Sequence, residues 1–340
     1  MKALVKTGKG RESVRLLDIP VPEPGDDEVL IKVMACGICG TDEHIMNDAY
    51  LHTIPVTLGH EFTGTVTKAG KGVKNLKVGD QVVALSAQRS CGSCKYCRIG
   101  DYVHCTEKQS IGINLGGGMA EYIVTTADRT FKVPDNFKGK DILAITEPLA
   151  CCVRAVLEKS TVHAGDVVLV AGPGVIGLLC MQLAKLCGAF VIMTGTPVDQ
   201  GRLALAKALG ADVVNDDPSA VLDIVKQYAP YGADHVIECS GAAPSLRTAL
   251  ACVRKEGSLT QVGMYGKNVE VDMDTIVRKE LKLTAGFSQA QSTWELALKL
   301  IEQGVLKLEE LVSVRMPLED WETAFDLFAK KTENKIFLIP

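Results

Sequence analysis

Four cysteines in one glycine-containing stretch constrain the fold more than any other feature of the chain. The spacing C-x2-C-x2-C-x7-C is formed by Cys91, Cys94, Cys97 and Cys105. Thiolates spaced this closely, on a loop that Gly92 and Gly100 help to turn, can converge on a tetrahedral zinc ion. Iron–sulfur clusters use similar spacings and are the competing interpretation. Four protein ligands would close a zinc site, so we expect a structural ion here.

The composition indicates a globular chain with two domains. With 340 residues, 47% apolar and 23% charged, the chain is too long for one ordinary core. The net charge of −4 and the lack of a basic tract give no indication of nucleic acid or an anionic membrane. No run is long and apolar enough for a membrane span, and the N-terminus lacks the apolar core of a signal peptide. We therefore expect a cytoplasmic protein, where twelve cysteines would seldom form disulfides.

The pattern of the sequence changes near residue 165. Up to about residue 150, β-branched and apolar runs such as DEVLIKVMACGI and AEYIVTT alternate with turn residues, which predicts a β-rich domain. From Gly165 onwards, short buried strands such as VVLVAG and FVIMT alternate with helical stretches. This alternation predicts an α/β domain with a parallel sheet covered by helices on both faces.

A glycine-rich turn follows the first strand of the predicted α/β domain. The motif G-x-G-x-x-G is formed by Gly172, Gly174, Val175, Ile176 and Gly177, with Pro173 between the first two glycines. The motif is weak evidence alone, but here it lies between a strand and a helix, as dinucleotide binding requires. Backbone N–H groups at the start of that helix would face a pyrophosphate. We predict a nicotinamide dinucleotide site.

A second group of metal-ligand residue types lies upstream of the cysteine loop. It comprises Cys39, Thr41, Asp42, His44, His60 and Glu61. Cysteine, histidine and carboxylate are the ligands of catalytic zinc, and three of them leave one position open. Two other interpretations fit the residues alone, since Cys36 and Cys39 have the spacing of a redox pair and His60 is compatible with ordinary packing.

The motifs together resemble those of the zinc-containing medium-chain alcohol dehydrogenases. The similarity rests on CGICGTDEH, GHEFTGTVTKAGKGV, GDQVVAL, the four-cysteine loop and TEPLACCVRAV, in that order, and covers essentially the whole chain. It implies a GroES-like β-rich catalytic domain, formed by residues 1–150 and 290–340, and a Rossmann domain at 151–289. It also implies an active site in the cleft between the domains and a homodimer or homotetramer.

The resemblance assigns roles to individual residues. Cys39 and His60 match the two zinc ligands common to the family, and Asp42 matches the carboxylate that orients the histidine. Glu61 and Glu147 match the carboxylates of the polyol and threonine dehydrogenase branch, and the sequence leaves open which of them binds zinc. Two zinc ions per chain are expected. Thr41 and His44 match a hydroxyl and imidazole relay that carries the alcohol's proton to solvent.

The choice between NAD and NADP depends on the end of the second strand of the α/β domain. NAD enzymes usually carry an acidic residue there, but FVIMT is followed by Gly195 and Thr196. Thr196 and Arg202 would suit a 2′-phosphate, which favours NADP slightly. Asp199 can instead turn back to the ribose, which would favour NAD.

The expected substrate is a secondary alcohol, namely a sugar alcohol that is oxidised to its ketone. Two carboxylates at the zinc favour the polyol, threonine and vicinal-diol branch of the family. Sorbitol dehydrogenases place an arginine after the Phe of a G-x-F motif, whereas Ser288 follows Phe287 here. L-Threonine and 2,3-butanediol are the alternative substrates. A nucleotide-binding protein without catalysis is a further alternative, although such relatives typically lack the cysteine and histidine ligands.

Overall fold

The structure, a computed structural model, describes residues 1–340, which form two compact units. The first unit joins Met1–Ala150 to Gln289–Pro340, and the second comprises Cys151–Ser288. The strands are β1 (Lys2–Lys6), β2 (Val14–Asp18), β3 (Glu28–Gly37), β4 (Val56–Thr57), β5 (Glu61–Ala69), β6 (Gln81–Ala84), β7 (Ala87–Arg89), β8 (Gln109–Ser110), β9 (Tyr122–Thr126), β10 (Thr130–Lys132), β11 (Val167–Ala171), β12 (Phe190–Thr194), β13 (Val213–Asn215), β14 (Ala233–Glu238), β15 (Val253–Gln261), β16 (Lys282–Ala285), β17 (Val312–Pro317) and β18 (Lys335–Ile339). The α-helices are α1 (Gly40–Met46), α2 (Thr146–Val153), α3 (Val175–Leu186), α4 (Gln200–Ala208), α5 (Val221–Tyr228), α6 (Ala243–Cys252), α7 (Met273–Arg278), α8 (Gln291–Glu302) and α9 (Trp321–Lys330). None of these helices combines the length and apolarity that a bilayer crossing requires.

The first unit is organised around the long strand β3. Its apolar sequence is largely buried, and it pairs antiparallel with β5, β9 and β18 in a sheet of order β10-β6-β5-β3-β18-β17. Smaller sheets are formed by β2-β1-β4 and by β7-β8. The core contains side chains from the first and last parts of the chain, including Leu4, Ile31, Phe325 and Ile336. The C-terminal segment is therefore an integral part of the β-rich unit.

Three chain segments meet at the carboxyl end of β3. Gly37, its last residue, lies opposite Glu61 of β5 on one neighbouring strand and opposite Phe337 of β18 on the other. The chain then leaves β3 and enters α1 through Cys39. This convergence places residues that are far apart in sequence around one end of the sheet.

The second unit is a parallel sheet of order β13-β12-β11-β14-β15-β16. In the order of the unit's own strands this is 3-2-1-4-5-6, the arrangement of dinucleotide-binding Rossmann folds. Its core includes Leu169, Ile192, Val236 and Leu259 from four neighbouring strands. The glycine-rich turn connects β11 to α3, beside the point where the strand order reverses between β11 and β14. The predicted fold class, a β-rich unit with a Rossmann unit, is confirmed.

Candidate active site

Cys39, His60 and Glu61 converge at the carboxyl end of β3. The thiol, a ring nitrogen of the imidazole and a carboxylate oxygen all lie within 4.8 Å of one another. Glu61 and His60 are buried and Cys39 is half-buried. Gly59, which precedes His60, has a φ of +89°, and a Cβ there would lie 2.6 Å from the Cys36 sulfur, so glycine lets the chain pass this close to β3. The structure thus brings together three of the four residues that the sequence predicts for the catalytic zinc.

Asp42 lies behind two members of this group and is fully buried. One of its carboxylate oxygens accepts a hydrogen bond from the Cys39 backbone N–H at 2.9 Å. The other accepts from the Gly59 N–H at 3.1 Å and lies 3.6 Å from Nδ1 of His60. Burial lowers the pKa of His60, but the charges of Asp42 and Cys39 outweigh burial and raise the pKa well above its usual value. The neighbouring charges therefore favour a positive charge at His60.

Lys335 contributes a positive charge to the same place. Its ammonium group donates to the Glu61 carboxylate and to the Ile38 carbonyl oxygen, the latter at 2.9 Å, and its side chain is 5% exposed. Burial lowers the pKa of Lys335, but the charges of Glu61, Cys39 and Glu147 together raise it. None of the sequence motifs includes Lys335, and the one indication of its role is a lysine at the start of the apolar final strand KIFLI.

Glu147, the fourth predicted ligand, lies near this group but outside it. It is buried on α2, and its charge acts on Lys335. Its carboxylate accepts a hydrogen bond from Nε2 of Gln289. The carbonyl oxygen of Gln289 in turn accepts from the Ser86 hydroxyl at 3.1 Å. Glu147 thus belongs to a buried polar chain of its own, which the sequence analysis did not identify.

Thr41 and His44 lie on the short helix α1. Their spacing of three residues places them on one face of the helix. Thr41 is half-buried and His44 is exposed. Exposure therefore increases from Thr41 to His44 along this face of the helix.

Cys36, the alternative partner of Cys39 in a redox pair, is fully buried. Burial raises the pKa of its thiol well above the usual value, and the charges of Asp42 and Glu61 add to this. A protonated, inaccessible thiol is a poor redox nucleophile. The structure therefore gives no support to thiol chemistry at this site.

The four-cysteine loop forms a second compact group of possible ligands. The sulfur atoms of Cys91, Cys94, Cys97 and Cys105 all lie within 4.8 Å of one another. Backbone N–H groups of Cys94 and Cys97 donate to the preceding cysteine sulfurs at 3.4 and 3.5 Å. The hydrogen bonds to Cys91 lower its pKa to about 6. For Cys94, the bond from the Cys97 N–H lowers the pKa, but burial and the neighbouring thiols of Cys97 and Cys91 outweigh it and raise the pKa to about 11. The group has the donor set of a closed tetrahedral site.

The glycine-rich turn of the second unit has the shape expected for pyrophosphate. Gly172 has a φ of +103°, and a Cβ there would lie 2.9 Å from Ser240. A Cβ on Gly177 would lie 1.9 Å from the Gly172 carbonyl oxygen, so only glycine allows α3 to pack this closely. Gly174 is the N-cap of α3, and a Cβ there would meet nothing within 4 Å. Val175 and Ile176 begin the helix, whose first N–H groups are available to an anion.

Asp199 occupies the region at the end of β12. Its carboxylate accepts hydrogen bonds from both the backbone N–H and the hydroxyl of Thr196, at 3.0 and 2.8 Å. Its other oxygen lies 3.5 Å from a guanidinium nitrogen of Arg202. A Cβ on Gly195 would lie 3.0 Å from both Asp199 and Pro173 of the glycine-rich turn. Asp199 therefore turns back to the strand end, where it engages the two residues that the sequence assigns to a 2′-phosphate.

The sequence of this chain is similar to those of known proteins over essentially its full length. Residues 25–135 match the alcohol dehydrogenase GroES-like domain, and residues 175–303 match the zinc-binding dehydrogenase family. D-Arabitol-phosphate dehydrogenase of Enterococcus avium is 39% identical over 99% of this chain and 97% of its own. Sorbitol dehydrogenase of Halalkalibacterium halodurans is 36% identical over 100% of this chain and 99% of its own.

A solved structure has the same architecture. It is a zinc-binding dehydrogenase of Sinorhizobium meliloti bound to NADP, which is 34% identical, with a TM-score of 0.89 over 100% of this chain and 99% of its own. The agreement in sequence, domain families and fold shows that this chain belongs to the zinc-containing alcohol dehydrogenase family and is an oxidoreductase.

Proposed function

We propose that this enzyme oxidises a secondary alcohol group of a sugar alcohol, free or as a phosphate ester, with a zinc ion held by Cys39, His60 and Glu61. The observation that carries the proposal is the convergence of a thiol, an imidazole and a carboxylate in a buried, anionic place. Such a donor set fits zinc and leaves a fourth position for the substrate. When bound, zinc supplies a Lewis acid that makes the alcohol oxygen more acidic.

The chain's own residues would then orient the metal ligands and move the proton. Asp42 fixes the positions of Cys39 and His60 through its two backbone hydrogen bonds and its charge. The Thr41 hydroxyl accepts the proton of the substrate alcohol and passes its own proton on. The His44 imidazole, exposed on the same face of α1, releases a proton to solvent.

For the cofactor, we propose that NAD is preferred over NADP, with the pyrophosphate at the N-terminus of α3. The Asp199 carboxylate at the end of β12 would accept hydrogen bonds from the adenosine ribose and repel a 2′-phosphate. Thr196, which would donate to that phosphate, already donates to Asp199. This preference differs from the slight preference for NADP that the sequence suggests, because the fold returns Asp199 to the strand end.

An Asp199→Asn substitution tests the cofactor proposal. We expect the ratio of kcat/KM for NAD to that for NADP to fall by about tenfold, since the repulsive charge is removed. An Asp223→Asn variant, changed on an exposed residue of α5, is the control and should keep the wild-type ratio. A wild-type enzyme that already favours NADP would contradict the proposal.

The polyol class is supported by the two relatives described above, whose names give arabitol phosphate and sorbitol as substrates. The second carboxylate, Glu147, adds to this support because the branch that it resembles acts on polyols and threonine. The position after Phe287 is Ser288 rather than the arginine of sorbitol dehydrogenases, so sorbitol itself is not the substrate that we favour.

The first experiment is a substrate panel on zinc-loaded protein. Pentitols, hexitols and their phosphate esters, L-threonine and 2,3-butanediol are each tested with NAD and with NADP, and cofactor reduction is followed by absorbance. We expect turnover of a polyol or polyol phosphate that is abolished by His60→Ala and retained by the control His163→Ala, a change at an exposed histidine. Turnover of threonine or the diol alone would overturn the substrate proposal.

The four-cysteine group is proposed to hold a second, structural zinc ion. Its four sulfur ligands fit a tetrahedral ion and leave no open position. A metal analysis should therefore find two zinc ions per chain and no iron. Iron together with acid-labile sulfide would indicate a cluster instead.

We also infer a homodimer that forms through the second unit. Strand β16 lies at the edge of the parallel sheet, and Leu283 on this strand is 48% exposed. Val277, on the adjoining helix α7, is 70% exposed. An apolar, uncovered sheet edge is a template for pairing with a second copy. Light scattering after size-exclusion chromatography should give at least twice the 36.4 kDa of one chain.

A further inference from the structure

Two buried carboxylates, Glu61 and Glu147, lie near the proposed catalytic zinc, and a different side chain donates a hydrogen bond to each. Glu61 is paired with the charged ammonium group of Lys335. Glu147 is held by the neutral amide of Gln289. Only Glu61 shares the compact group with Cys39 and His60. The two carboxylates thus differ in the side chain that donates to them and in whether they lie in the compact group. Both differences bear on which carboxylate becomes a metal ligand.

The orientation of the Gln289 amide is determined by the groups on its two sides. Its Nε2 faces the carboxylate of Glu147, and its carbonyl oxygen faces the Ser86 hydroxyl. An ionised carboxylate accepts hydrogen bonds but cannot donate one, so a reversed amide would set two acceptor oxygens against each other. The hydroxyl of Ser86 can donate to the carbonyl oxygen in the observed orientation. The chain from Ser86 through Gln289 to Glu147 therefore has one favourable direction.

All three members of this chain are buried. Gln289 is 2% exposed, and Ser86 and Glu147 are each 6% exposed. Water is thus a poor substitute for any of these hydrogen bonds, and the loss of one destabilises a buried polar atom. A nearby divalent cation would attract the Glu147 carboxylate more strongly once the Gln289 hydrogen bond is lost.

We propose that Gln289 is a positioning residue that keeps Glu147 away from the catalytic zinc. Three protein ligands then remain, namely Cys39, His60 and Glu61, and the fourth position stays open to the alcohol. If Glu147 also bound the metal, the site would have four protein ligands like the four-cysteine group, and substrate would have to displace one of them. This inference rests on the proposed zinc site described above.

The test compares Gln289→Met with the wild-type enzyme after cobalt replaces zinc in the three-ligand site and zinc is kept in the four-cysteine site. Methionine has a similar length but cannot donate a hydrogen bond. We expect Glu147 to join the metal, which changes the visible cobalt absorption and slows metal loss to a chelator by about tenfold. The milder change Ser86→Ala should shift both readouts in the same direction, by less.

The decisive variant is Gln289→Met combined with Glu147→Gln. Removal of the carboxylate charge should return the cobalt spectrum and the rate of metal loss to near the wild-type values. A merely structural role for Gln289 would not be rescued in this way. The inference is overturned if Gln289→Met and Ser86→Ala both fold, bind cobalt and have the wild-type spectrum, or if the double variant keeps the altered spectrum. Failure of the wild-type protein to bind cobalt at this site would instead refute the proposed function.

Discussion

The two groups of metal-ligand residues differ in how the chain assembles them. The four cysteines come from one short loop, and their own backbone N–H groups surround the sulfur atoms. Cys39, His60 and Glu61 come from the ends of separate elements, and they depend on Asp42, from α1, and Lys335, from the C-terminal strand. The first group is thus specified locally, and the second exists only when the β-rich unit is folded.

The two groups also differ in the chemistry that they can perform. Four thiolates satisfy a tetrahedral ion completely, so the loop can hold a metal but offers no site for a substrate. Three ligands of different chemical types, with charged residues behind them, leave a position open and set the charge around it. A closed site therefore contributes stability, whereas an open one contributes reactivity.

The largest expected effect comes from substituting one cysteine in each of the two groups of metal-ligand residues. Cys39→Ala should lower kcat/KM by at least about 1000-fold, because the metal is lost or misplaced, with little change in the melting temperature. Cys97→Ala, the matched change in the other group, should lower the melting temperature and leave kcat of the folded protein close to wild type. The kinetic constants, the melting temperature and the metal content are measured for both variants. A Cys97→Ala enzyme that folds normally but is inactive would remove the distinction.

A second, smaller effect should appear at Lys335. Lys335→Met leaves the Glu61 carboxylate buried without its cation, which should cost about 3 kcal/mol in the free energy of unfolding of the metal-free protein. A bound metal ion would replace part of the lost charge, so the cost should be smaller in the zinc-loaded protein. Denaturant unfolding of both forms measures the difference. Equal losses in the two forms would show that Glu61 and the metal do not interact.

The contrast between local and long-range assembly also explains which features can be predicted from the sequence. The cysteine spacing, the glycine-rich turn and the alternation of strands and helices are local patterns, and the fold class that follows from them is confirmed. The parts played by Lys335 and Gln289 depend on neighbours hundreds of residues away, such as the pairing of β18 with β3. For Asp199, the sequence leaves open a return to the strand end, and only the backbone geometry shows that its carboxylate accepts from Thr196. The metal ligands themselves remain predictions.

The smallest effect that we expect concerns proton release. Only the site formed by Cys39, His60 and Glu61 has to release a proton. His44→Ala should lower kcat by about tenfold, because water can partly replace the imidazole at its exposed position. The loss should be greatest below neutral pH, where hydroxide is scarce, and imidazole added to the buffer should restore part of the rate. His104→Ala, a change at an exposed histidine of the four-cysteine loop, is the matched control and should show neither effect. If His44→Ala has the wild-type rate at every pH, the proton leaves by another route. The exposed face of α1 would then have no part in catalysis.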